Sequence, residues 1–172
     1  SREGVHFTGY SLFIELEQKN EKDKNRIEEN RLRAFVNSRL HFMRCLYSGP
    51  LRYTYFKLAD NLGNVLNTSD VIFDTSNGNK EICHDKALTV YFEEDGRAPY
   101  MGYSGEEGKW IWTYTVLNAS ENGKFSGFIL NEECVKIENY GYYNPESITW
   151  YGDLATYRVG DMLPYNFLVC ED

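Results

Sequence analysis

The chain is poor in the features that mark several large classes of protein. No apolar run approaches the roughly 18 residues that cross a bilayer, so no transmembrane helix is expected. Three histidines (His6, His41, His84) lie far apart, and four cysteines (Cys45, Cys83, Cys134, Cys170) form no Cys-x-x-Cys pair. Structural zinc centres and thioredoxin-type redox motifs need such close pairs, so neither is expected. Each histidine reads as a half-buried strand or loop residue. Cys83-His84-Asp85 reads as a disulfide cysteine beside a solvated histidine rather than a metal corner. Gly102-Tyr103-Ser104-Gly105 misses the nucleophile-elbow spacing by one residue and precedes no helix. Gly105-Glu106-Glu107-Gly108 has no following helix and the wrong charge for a phosphate. Glu93 and Glu94 are neighbours on a strand and point to opposite faces, which does not suit paired-carboxylate hydrolysis. The expectation is a non-enzyme with no cofactor and no metal. Proline is also scarce, at 4 residues. No linker rich in Pro and Gly and no internal repeat appears, so residues 1–172 are expected to form a single domain.

What is present is aromatic and strand-like. Aromatic residues make up 16% of the chain, which favours strands over helices. In residues 6–17, Tyr10, Leu12, Ile14 and Leu16 alternate with polar positions, the pattern of a half-buried strand. Residues 18–34 are densely charged with both signs and read as a mobile loop or a short exposed helix around residues 26–35, the only helical candidate. From residue 40 onward strands alternate with turns. They are expected at 40–47, 51–58, 65–73, 86–93, 100–103, 110–117, 125–130, 135–138, 148–151, 155–159 and 165–170. Turn signals such as Ser48-Gly49-Pro50, Ser76-Asn77-Gly78-Asn79 and Glu121-Asn122-Gly123 separate them. The fold class expected is all-β, an antiparallel two-sheet β-sandwich with at most one short helix. Trp110, Trp112 and Tyr114 share a face that reads as core. Tyr140, Tyr142 and Tyr143 fall in a loop and read as contact surface.

The formal net charge of −8 is unevenly spread. Residues 1–44 carry a net +2, whereas residues 81–110 carry −4 and residues 131–172 carry −6. Carboxylates on strands and their rims attract basic partners and repel nucleic acid and anionic lipid. An even number of dispersed cysteines points to two disulfides and an oxidising compartment. The four cysteines permit three pairings, which the sequence leaves open. Asn67-Thr68-Ser69 and Asn118-Ala119-Ser120 are glycosylation sequons that agree with secretion. The opening Ser1-Arg2-Glu3-Gly4 carries no Met or signal peptide and reads as a processed or truncated start.

Three short segments, in order, carry a family resemblance. Thr8-Gly9-Tyr10-Ser11-Leu12-Phe13-Ile14-Glu15-Leu16-Glu17-Gln18-Lys19 is followed by a long charged segment. Gly49-Pro50-Leu51-Arg52-Tyr53 resembles a Gly-Gly-Leu-Arg strand. Tyr157-Arg158-Val159-Gly160-Asp161-Met162 is similar to a Val-Arg-Ile-Gly-Asp-Met segment. Together they resemble the poxvirus immune-evasion domain of the secreted viral CC-chemokine-binding proteins. The chain is shorter than the stand-alone inhibitors, has fewer cysteines and lacks their strongly acidic loop. It is therefore most like the compact SECRET domain, which follows the receptor-type repeats of poxvirus tumour-necrosis-factor receptor homologues. The resemblance implies a β-sandwich that presents one sheet to a host chemokine and blocks receptor engagement. Carried over by position, Arg52, Glu93 and Asp95 would contact the partner, with Tyr53 and Tyr91 as aromatic contacts. It also implies fusion to an N-terminal cytokine-receptor-like region. Family members aimed at other cytokines or at MHC class I keep a second ligand class open. Composition and size alone would also suit a lipocalin-like carrier of a small ligand.

Overall fold

The computed structural model describes residues 14, 17, 20–51, 54–92, 97–104, 109–116, 124–156, 163–164 and 169–171. The protein is predominantly β, with two helices and three sheets among these residues. The expected strand over residues 6–17 lies outside them except for Ile14 and Glu17, and neither of those is in a strand.

The charged segment forms helix α1 (Glu21–Phe35), which starts earlier than residue 26. The Asn20 side chain accepts the Asp23 amide at 2.9 Å, and Glu21 and Asp23 sit in the first turn, favourable to the helix dipole. Glu29 pairs with Arg33 one turn on. Only Phe35 of this helix is buried, so it is largely a solvated surface element.

Helix α2 (Arg39–Ser48) corrects the expected strand at 40–47, and with it the expectation of at most one short helix. Leu40, Phe42, Arg44 and Leu46 alternate as a strand would, but residues 39–48 contain no β-branched side chain. Ser38 caps the start by accepting the His41 amide at 3.1 Å, and Gly49 takes the C-cap at φ 157°. Every residue from Leu40 to Leu46 is buried. A helix buried all round loses its amphipathic period, which is why the pattern misled. His41 is thus a buried helical residue, not the half-buried strand or loop residue expected. Its Nδ1 accepts the Asn37 amide at 3.1 Å.

The largest sheet has the order β10-β8-β5-β1-β2. Its strands are β1 (Phe56–Ala59), β2 (Val65–Leu66), β5 (Leu88–Phe92), β8 (Lys124–Leu130) and β10 (Ile148–Gly152), all antiparallel. Its inner face packs on α2. Phe42 meets Phe56 at 5.2 Å, Phe128 at 5.9 Å and Trp150 at 6.1 Å between ring centroids, and His41 meets Phe56 at 4.9 Å. A second antiparallel sheet, β3-β4-β9, comprises β3 (Ile72–Asp74), β4 (Lys80–Cys83) and β9 (Cys134–Ile137). Its Ile82, Val135 and Ile137 join the same hydrophobic core. Strand β4 was not expected from sequence, and the expected strand 65–73 is cut by a 3-10 turn at Thr68–Asp70. The third sheet holds β6 (Arg97–Ser104), β7 (Lys109–Val116) and β11 (Val169–Glu171). Here β11 runs parallel to β6, a departure from the expected all-antiparallel pattern. The side chains of Trp110, Trp112 and Tyr114 lie outside the described residues.

Candidate binding face

Alternation along β5 builds the site. Leu88, Val90 and Phe92 are buried, so Thr89 and Tyr91 face outward. The register places Lys57 of β1 beside Tyr91, and Ala59, Thr89, Gly127 and Tyr151 in the next row, with Val65 of β2 beyond Ala59. Ile129 and Thr149 pair further along β8 and β10. Among the described residues, three apolar side chains on this outward face are exposed: Tyr91 at 41%, Ile129 at 44% and Val65 at 71%. Beside them the Tyr151 ring lies over Gly127, in the space that an added Cβ would need. Its hydroxyl donates to the Leu88 carbonyl at 3.0 Å, pinning the ring across the sheet. Rigid aromatic and aliphatic groups on a flat sheet are the anchors that protein interfaces use.

Of the expected contact residues, the structure places Tyr91 on this face. Arg52, Tyr53, Glu93 and Asp95 lie outside the described residues. Lys57 is the charged residue of the described rows. The described acidic cluster is elsewhere, in an open cleft of about 450 Å³ lined by Phe73, His84, Asp85, Glu132, Glu133 and the Cys83–Cys134 disulfide. Sequence reading missed this cleft because Asp85 and the Glu132-Glu133 pair are 47 residues apart. They meet only through the β4–β9 pairing, which joins Cys83 to Cys134. The cysteines offered that pairing only as one of three.

The disulfide expectation is half corrected. Cys83 and Cys134 are bonded, but Cys45 is a free thiol, 3% exposed within α2. Burial pushes its pKa upward, with Arg44 opposing. Cys170 lies in β11, and its side chain is outside the described residues. Among the sequons, Asn67 is exposed before the 3-10 turn, with its side-chain amide donating to Asp70 at 3.3 Å. Asn118 lies outside the described residues. The tyrosine loop divides. Tyr140 is exposed at φ 65°, whereas Tyr143 is core and accepts the Trp150 indole N–H at 2.9 Å.

A comparison with protein-family models, with curated proteins and with solved structures gives no match for this chain. Among the described residues no helix is long and apolar enough to cross a membrane.

Proposed function

We propose that the chain is a secreted viral binding module that sequesters a basic host chemokine on the outward face of its five-stranded sheet. The observation that carries this reading is the set of exposed apolar side chains on that face, Tyr91, Ile129 and Val65. Large apolar side chains exposed on a sheet face are groups that a protein partner can cover. The net charge of −8, concentrated at residues 81–110 and 131–172, supports a cationic partner. Glu93 and Asp95, the acidic contacts that the resemblance implies, belong to this proposal. The Arg52 segment and the other two matched segments supply the family resemblance. A two-sheet sandwich scaffold, a disulfide suited to an oxidising compartment, and glycans at Asn67 and Asn118 belong to the same proposal. The mechanism is occlusion of the chemokine's receptor-binding surface, with no turnover.

A binding panel of basic chemokines, other cytokines and MHC class I molecules tests it. The expected result is stable capture of a basic chemokine. In that complex, Tyr91→Ala and the charge reversals Glu93→Lys and Asp95→Lys each weaken affinity by roughly tenfold or more, with Tm unchanged. Capture of a cytokine or an MHC molecule instead would shift the reading to an antagonist of that class. Unchanged chemokine affinity in all three variants would remove this face from the account.

A further inference from the structure

The outward face of the second sheet holds a set of metal-ligating groups that the proposed binding function does not use. Cys83 and Cys134 are direct cross-strand partners on β4 and β9, with Cα atoms 4.2 Å apart. Glu81 lies two residues before Cys83 on β4 and so shares its face. The carboxylate of Glu81 and the two sulfurs all lie within 4.8 Å of one another, and all three residues are half-buried. The opposite face of the same strands is held by buried Ile82, Val135 and Ile137, independently of the disulfide. Lys136, opposite Glu81 across the strands, directs its ammonium to Glu138 at 2.8 Å. The cleft opens this corner to solvent beside Phe73 and His84.

We propose that reduction of the Cys83–Cys134 bond converts this corner into a binding site for Zn²⁺, with Cys83 Sγ, Cys134 Sγ and a Glu81 carboxylate oxygen as ligands. Two thiolates and a carboxylate suit zinc, and the fourth tetrahedral position opens to the cleft. Zinc–sulfur bonds of about 2.3 Å hold two thiolates roughly 3.8 Å apart, a separation that small side-chain rotations supply across paired strands. The balance is simple. A phosphine breaks the S–S bond and, with one water, leaves as its oxide, and its electron pair and two protons give two thiols. Zn²⁺ then displaces the two thiol protons. Disulfide and metal are thus alternative cross-links of one strand pair, selected by the redox state of the surroundings.

The test reduces the full chain with a phosphine in the presence of Zn²⁺ and measures binding by competition with a chromophoric chelator. Co²⁺ serves as a parallel probe through its thiolate charge-transfer absorption. One Zn²⁺ per reduced chain is expected, and none for the oxidised chain. The Cys83→Ser/Cys134→Ser variant keeps Cys45 and Cys170 and is expected to bind none. Glu81→Gln is expected to weaken binding by roughly tenfold or more. Absence of stoichiometric binding would overturn the proposal. So would equal affinity in Glu81→Gln, which would mark an unstructured dithiol. Loss of the far-ultraviolet β signal in the zinc-loaded reduced chain would overturn it too, because the site requires the paired strands.

Discussion

Cys45 and Arg44 are neighbours in α2 whose burial has opposite consequences for alkaline stability. Burial holds the Cys45 thiol protonated, its pKa raised from the ordinary 9.0, and Tyr143 is raised above its ordinary 10.0 for the same reason. A raised folded-state pKa contributes stability that is complete below the unfolded value and declines as pH climbs above it. Arg44 is shifted the other way, down to about 10, by desolvation, so its burial penalty is relieved only near and above that pH. The interval from pH 9 to pH 10 therefore reports chiefly on Cys45. We expect the urea unfolding free energy to fall by about 1 kcal/mol across that interval. In Cys45→Ala the slope should flatten, whatever the variant's offset. An unchanged slope would place the titrating group elsewhere. None of this was legible in the cysteine count: an even number of cysteines suggested two bonds, but whether a thiol is bonded or merely buried is decided by α2's packing.

At the scale of elements, turns and short alternating strands could be read directly from the sequence. Leu88–Phe92, Lys124–Leu130, Cys134–Ile137 and Ile148–Gly152 all fall within a residue or two of expectation. What failed was α2, because burial on every side erases the period that distinguishes a helix. The absent β-branched residues and the Ser38 cap were the signals that would have found it. The contact between β8 and β10 rests on a feature the sequence showed without explaining. Gly127 has no side chain, and Tyr151 fills that space while bonding to Leu88. Gly127→Ala should destabilise the protein by about 1–3 kcal/mol through overpacking. Adding Tyr151→Ala should make the pair less than additive, because the ring that clashes is gone. Additive losses in the double-mutant cycle would show that the two residues act independently.

For the whole molecule, the sequence conveyed the charge distribution and the predominance of strands, but not which carboxylates share a surface. Tyr91 could be placed from period two alone. The acidic cleft could not, since it depends on β4, a four-residue strand between two turns. The described residues therefore present a sheet face with exposed Tyr91, Ile129 and Val65 beside Lys57 and, separately, an acidic corner around the disulfide. The central proposal is that the chain's net negative charge draws in a cationic protein, which docks on that sheet face. Its most direct measurement is the association rate of a captured basic chemokine as a function of salt. Steering should raise the rate by roughly 10–1000-fold at low ionic strength and lose that gain as salt screens it. A rate that stays level from low to high salt, with capture intact, would contradict the account.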